Sequence, residues 1–271
     1  MRVLVIGDTH GEDWWKPAVF GARGLADSYF ENDGISHDNF RFIKEKIDKV
    51  VFVGDYMDSF FVLPHEQMQN LREIVKLAND FPGKFELLLG NHDIHYIYPE
   101  YRCSGFKAEL WYQFKEVYEE NKNLFKAAYS FGEYLVTHAG LTRGMWQIFE
   151  KKLKESKHLY DYTDPEKTLA DHINFLFEIH FEPLFYAGFA RGGISPTPGI
   201  FWADKSELSR DPMRGCSQIV GHTPLRKKDM KALDGGYTLL FLDLMKEDAW
   251  EIIDTDPETN VYSPNTRSMT Y

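Results

Sequence analysis

The 271-residue sequence predicts an α/β fold in which two β-sheets are flanked by helices. Three observations lead to it. Five short apolar runs each stop on Gly, Asp, His or Asn, as buried strands bounded by turn residues do. Stretches with apolar residues at helical spacing separate them, as expected of crossovers between parallel strands. Two further strand-like runs follow the fifth. The composition, 43% hydrophobic and 27% charged, supplies an ordinary core.

The first run, Arg2-Val-Leu-Val-Ile, ends in Gly7-Asp8-Thr9-His10-Gly11. Between Glu12 and Lys49 lie Trp14, Trp15, Phe20, Tyr29 and Phe30, which either wall a substrate pocket or pack onto the sheet. Asn39 to Ile47 reads as a helix. The second run, Val50-Val-Phe-Val, ends in Gly54-Asp55-Tyr56-Met57-Asp58, and the helix from Pro64 to Ala78 opens with proline in its first turn. The third, Leu87-Leu-Leu, ends in Gly90-Asn91-His92-Asp93, before an expected helix from Phe106 to Ala128. The fourth, Leu135-Val-Thr, ends in His138-Ala139-Gly140. Helices are expected from Arg143 to Ser156 and from Asp164 to Phe185, the second interrupted near its end by Pro183. Gly192 to Pro198 is a loop leading towards the fifth run, Ile219-Val-Gly221-His222-Thr223. Thr238 to Leu244 and Ala249 to Asp254, joined by a turn at Lys246-Glu-Asp248, read as strands at the edge of a second sheet. One domain is expected over residues 1–256, with 257–271 a loosely held polar tail.

The formal charge of −11 argues against broad nucleic-acid binding, which rests on clustered Lys and Arg. Arg226-Lys227-Lys228 reads as a solvated turn. Neither Cys103 nor Cys216 stands in a metal-ligand spacing, so both are expected to be reduced. The sequence enters its first strand at once and has no apolar stretch of ~18 residues, so the expectation is a cytoplasmic protein without a membrane partner.

Ligand-type residues just past strand ends are where α/β sheets place their sites. The runs direct Asp8, His10, Asp55, Asn91, His138 and His222 to one sheet edge. Carboxylates, imidazoles and an amide without thiolate suit borderline divalent metals.

The order and content of these blocks, from Asp8 to His222, resemble the calcineurin-like metallophosphoesterases, two-metal enzymes of β-sandwich fold that hydrolyse phosphoesters. The resemblance implies that Asp8 and His10 hold one divalent ion, that Asn91, His138 and His222 hold the other, and that Asp55 bridges them. The ions would be Mn, Fe, Zn, Ni or Co. Two such ions neutralise phosphoryl charge and lower the pKa of a bridging water. His92 matches the family's catalytic histidine, a general acid for the leaving oxygen, and Asp58 the carboxylate that orients it.

Two departures narrow the branch. Many members end in Gly-His-x-His, whereas Pro224 follows Thr223 here. This resembles the phosphoprotein phosphatases and the bacterial diadenosine tetraphosphatases. Those continue Gly-Asp-x-x-Asp with a phosphate-gripping Arg-Gly, where this chain has Ser59-Phe60. Arg214, preceded by Trp202-Ala-Asp204, is the first candidate for a substitute grip, ahead of Arg191 and Arg143. The expected activity is hydrolysis of a phosphomonoester or phosphoanhydride in a phosphorylated small molecule, nucleotide or phosphopeptide. The rival readings are a phosphodiesterase or nuclease, and a catalytically silent metal-binding module of the same fold.

Overall fold

The structure, a computed structural model, describes residues 1–21, 46–244 and 249–255. Tyr29, Phe30, residues 39–45 of the first expected helix, the turn at Lys246-Glu-Asp248 and the tail at 257–271 lie outside the described residues.

In the first sheet β1 (Arg2–Ile6), β2 (Lys49–Phe52), β3 (Phe85–Leu88) and β4 (Phe125–Lys126) run parallel. In the second, β5 (Ala128–Phe131) pairs antiparallel with β6 (Tyr134–Thr137) and β6 parallel with β7 (Ser217–Val220). The remaining strands are β8 (Asp229–Ala232), β9 (Thr238–Phe241) and β10 (Trp250–Asp254). The orders are β10-β1-β2-β3-β4 and β5-β6-β7-β9-β8.

Strand side chains alternate between faces, and the burial divides accordingly. Val3, Val5, Val51, Val53 and Leu88 meet Phe131, Val136, Ile219, Leu240 and Leu242 in one cluster, the filling between the sheets. Leu4, Ile6, Val50, Phe52 and Leu87 point the other way, into a core shared with the helices. That double burial is why these strands read as unbroken apolar runs rather than alternating ones.

The helices are α1 (Lys16–Phe20), α2 (Pro64–Asp80), α3 (Asn91–Ile97), α4 (Trp111–Glu120), α5 (Arg143–Glu155), α6 (Leu169–Glu178) and α7 (Lys205–Arg210). In α2, Met68, Leu71, Ile74, Val75 and Ala78 form the buried stripe. Trp15 is fully buried against Phe52, its ring N–H donating to Asn70 Oδ1 at 2.9 Å, so it packs on the sheet rather than walling a pocket. No helix among the described residues is long and apolar enough to cross a membrane. Both cysteines are free.

Three expectations need correction. The helix expected over Phe106–Ala128 ends at Glu120, because Phe125–Lys126 is taken as a strand by β3 and the Ala127 and Ala128 amides donate to Asn174 Oδ1. The helix expected from Asp164 starts at Leu169. Thr168 caps it there by accepting from Asp171 N, while Asp161 and Asp164 hold turns that precede it. It ends at Glu178, and only a short 3-10 turn, Glu182–Phe185, follows at the proline.

The third concerns the last two strands, which do not form an edge hairpin. β9 lies inside the second sheet, between β7 and the unanticipated β8. β10 closes the first sheet antiparallel to β1, where Arg2 Nε meets Asp254 Oδ2 at 2.7 Å. The chain therefore passes from one sheet to the other just after β9, above the end of β1, where Gly7 N donates to Ala249 O at 2.6 Å. The ligand-type residues correspondingly stand at the ends of strands in two sheets, not along the edge of one.

Candidate metal centre

Because β1, β2 and β3 are parallel, the turns after them carry Asp8, His10, Asp55 and Asn91 to the same end of the first sheet. β6 and β7 are parallel too and carry His138 and His222. Packing of the sheets face to face closes the two ends on each other. Of the five non-glycine residues with positive φ among those described, four are here: His10 (45°), Asp55 (54°), Asp58 (71°) and His222 (66°). Such backbone disfavours L-residues and collects at functional sites. Two glycines make the approach possible: a Cβ on Gly90 would stand 2.1 Å from Asp55 Oδ1, and one on Gly221 would stand 1.8 Å from Asp8 Oδ1.

The imidazoles are oriented by backbone carbonyls. His138 Nδ1 donates to Val53 O at 3.1 Å and His10 Nδ1 donates to Met57 O at 3.1 Å. A carbonyl only accepts, so in a neutral ring the lone pair is left on Nε2. Burial pushes both rings towards the neutral form, His138 strongly. His138 Nε2 faces Asn91 Oδ1 at 2.9 Å, His222 Nδ1 at 3.2 Å and Asp55 Oδ2 at 3.4 Å. His222 Nδ1 lies 2.8 Å from the same Asn91 oxygen.

Four donor atoms thus converge with few protons to share among them. Their spacing is that of ligands around one ion with bonds of ~2.1 Å. The cluster suits a metal better than it suits a hydrogen-bond network.

Beside it, Asp8 Oδ2 accepts from His222 N at 2.8 Å, while Asp8 Oδ1 is buried without a partner. Asp8, Asp55 and His138 can each offer an atom to a common ion, as can Asp8, His10 and Asp243. Burial, followed by the charges of Asp243 and Asp55, pushes Asp8 well above the usual carboxylate range. Burial, then Asp93, does the same to Asp55. Cations within the cluster would relieve this repulsion.

His92, on α3, has its Nδ1 2.8 Å from Asp58 Oδ2. Tyr96 OH donates to Asp58 Oδ1 at 2.6 Å, and Lys107 Nζ stands 3.8 Å from that oxygen. His95 Nε2 is 2.8 Å from Asp58 Oδ2 but is not aligned as a hydrogen bond. Burial alone would raise the Asp58 carboxyl; His92, His95 and Tyr96 together bring it down to about 2. Asp93 holds the turns together, its Oδ2 accepting from the Asp55 and Gly90 amides at 2.8 Å each and its Oδ1 from Tyr56 N at 2.9 Å. Burial pushes Asp93 up to about 7 against these bonds.

Sequence reasoning gave no role to Asp93, His95, Tyr96, Lys107 or Asp243. Asp93 alone sat within a recognised block.

Of the three arginines, Arg191 stands at the centre. Its guanidinium donates to His222 O at 3.2 Å and Thr223 Oγ1 at 2.8 Å, and Nε lies 3.1 Å from Asp204 Oδ2. Arg214 is exposed on the loop before β7, at the opposite end of that strand from His222. Arg143 is paired at the surface with Asp211. Arg191 also lines a groove of about 430 Å³ with Tyr101, Arg102, Cys103, Phe185 and Trp202. The groove borders the cluster, since Trp202 meets the His222 ring edge-on at 5.7 Å and Cys103 Sγ lies 3.7 Å from Asn91 Nδ2.

Two facing sheets with a carboxylate, imidazole and amide cluster at their joined ends define an α/β sandwich built around a candidate metal centre. The family model of calcineurin-like phosphoesterases matches residues 1–239, and the chain belongs to that family. No curated protein matches it. Among solved structures it is similar to a cold-active protein-tyrosine phosphatase of a psychrophilic Shewanella species, with 15% identity, 94% of this chain and 75% of that chain covered, and a TM-score of 0.50. It is also similar to a protein serine/threonine phosphatase from Saccharomyces cerevisiae with similarity to human phosphatase PP5, with 17% identity, 90% and 67% covered, and a TM-score of 0.41.

Proposed function

We propose that this phosphoesterase hydrolyses a phosphomonoester or phosphoanhydride using two divalent ions, with manganese as a fitting occupant, and His92 as general acid. The observation that carries the reading is the convergence of Asn91 Oδ1, His138 Nε2, His222 Nδ1 and Asp55 Oδ2 within 2.8 to 3.4 Å of their neighbours. Asp8 and His10 would complete a second position sharing Asp55. When bound, the ions supply neutralisation of phosphoryl charge and an activated water.

The chain's own groups do the rest. Asp58 accepts the Nδ1 proton of His92, fixing the ring so that Nε2 is the nitrogen that gives a proton to the leaving oxygen. The ionised Asp58 stabilises the imidazolium that must exist before transfer. Tyr96 and Lys107 hold that carboxylate from its other side. The groove beside the cluster takes the remainder of the substrate, with aromatic walls at Tyr101, Phe185 and Trp202. A phosphorylated small molecule, nucleotide or phosphopeptide side chain fits such a surface.

The direct test is turnover of p-nitrophenyl phosphate by protein stripped with EDTA and then reloaded with Mn²⁺. Activity should vanish on stripping and return on loading; full activity in the metal-free protein would defeat the reading.

Arg191 is the arginine proposed to grip phosphate in place of the Arg absent at Ser59. Arg191→Ala should lower kcat/KM by roughly 10–100-fold, the scale of ~1.5–3 kcal/mol for a hydrogen bond to a charged group. Arg214→Ala and Arg143→Ala should stay within about twofold of wild type. A loss at Arg214 equal to that at Arg191 would return the grip to Arg214.

A further inference from the structure

Asp243 lies two residues beyond the end of β9, where the chain leaves the second sheet. It is 5% exposed, and its Oδ2 is buried with no hydrogen-bond partner. Buried carboxylate oxygens are ordinarily paired, because desolvating one without compensation is costly. Across from it, Asp8 Oδ1 is orphaned in the same way. One atom each from Asp8, His10 and Asp243 falls within a sphere of separations no larger than 4.8 Å. With His10 Nδ1 donating to Met57 O, the lone pair left for an ion is that of Nε2. Two buried carboxylates, each with an unpaired oxygen, thus stand beside a half-buried imidazole, close enough to share one ion, and carboxylates held this near each other repel unless a cation lies among them.

Pro224, which stands where many relatives carry a second histidine, is exposed and its side chain has no donor atom. Asp243 approaches the centre from a different loop.

We infer that Asp243 is a metal ligand of this chain, completing with Asp8, His10 and Asp55 the first ion position that Pro224 leaves short. The inference rests on the two-ion reading proposed above. A carboxylate in place of an imidazole makes this position harder than the one formed by Asn91, His138 and His222, and turns its preference towards oxygen-loving ions such as Mn²⁺.

The test compares wild type, Asp243→Asn and Asp243→His, each stripped with chelator and titrated with Mn²⁺. The ion bound after desalting is counted by elemental analysis, and the melting temperature is read with and without metal. Wild type should hold about two ions. Asp243→Asn should hold one as wild type does and bind the second at least ~10-fold more weakly. Its metal-free form should melt no lower than metal-free wild type, because a buried like charge has gone, while Mn²⁺ should raise its melting temperature by less. Asp243→His, which restores a donor, should recover part of the second ion.

Two Mn²⁺ bound by Asp243→Asn with wild-type affinity would overturn the assignment. So would a metal-free Asp243→Asn that already melts well below metal-free wild type, since that marks a structural residue. Wild type holding fewer than two ions would remove the two-ion reading itself, and this inference with it.

Discussion

Asp55→Asn is expected to abolish turnover, a loss of at least about 10³-fold, on the scale of the several kcal/mol of charge stabilisation that bound metal supplies. The geometry makes this replacement worse than neutral. Asp55 Oδ1 accepts from His92 N at 2.9 Å, so an asparagine must keep its oxygen there. Its amide nitrogen then takes the place of Oδ2, 3.4 Å from His138 Nε2 and 3.9 Å from His10 Nε2. Protons would point at both ion positions at once. Elemental analysis should find fewer than two ions per chain together with the loss of kcat; two retained ions with wild-type turnover would exclude Asp55 as the bridge.

The same substitution should behave oppositely in the metal-free protein. Burial and then Asp93 raise the folded-state pKa of Asp55, so the unfolded chain gives up that proton at lower pH. A raised carboxyl costs stability as pH climbs above the unfolded value of ~3.9. Metal-free Asp55→Asn should therefore gain in melting temperature over metal-free wild type as pH rises from about 4 towards 7. Burial shifts His138 and His222 downward in both proteins, so the Asp55 effect is read from the difference between the two sets of curves. Melting curves of the two stripped proteins at several pH values read this directly.

What could be read in advance followed from local chemistry. Asp8, Asp55, Asn91 and His222 each stand next to a glycine and after an apolar strand, and His138 follows such a strand two residues before Gly140, so position along the chain was enough to single them out as candidates. Asp243 also follows an apolar strand but has no glycine beside it. It ends Thr238-Leu-Leu-Phe-Leu, a run that reads as ordinary strand, and the role proposed for it depends on the chain passing from β9 to the other sheet. That passage was misread because a short apolar strand does not encode its neighbour: β9 and β10 look like a hairpin until the open edge of β1 is known to need a partner. His95, Tyr96 and Lys107 were missed for a related reason. They act on Asp58 from α3 and the segment after it, contacts set by helix placement rather than by spacing from a motif. The choice among arginines turned on the same kind of information. Arg214 is eight residues from His222 in sequence yet at the far end of β7, while Arg191 is distant in sequence and touches the His222 carbonyl.

His92→Ala is expected to keep its metal and lose ~10²–10⁴ in kcat on alkyl phosphates, whose leaving oxygen needs a proton. His92 touches the cluster through its backbone, whose N–H donates to Asp55 Oδ1, and alanine retains that bond. Its ring instead faces Asp58 at 2.8 Å and lies edge-on to His10 with centroids 5.4 Å apart. Removing the ring therefore removes a proton donor and leaves the proposed ligands in place. The size of the loss should depend on the leaving group. p-Nitrophenolate departs as a stable anion and gains little from general acid catalysis, so the variant should fall least on p-nitrophenyl phosphate. A plot of log kcat/KM against leaving-group pKa should then be steeper for His92→Ala than for wild type. Asp58→Asn should steepen it in the same sense, because an amide cannot stabilise the imidazolium as a carboxylate does, and should do so without changing metal content. Equal losses across the whole leaving-group series would mean that His92 positions phosphate instead of protonating oxygen. Loss of an ion from His92→Ala would make it a ligand and pass the search for the acid to a neighbour such as His95.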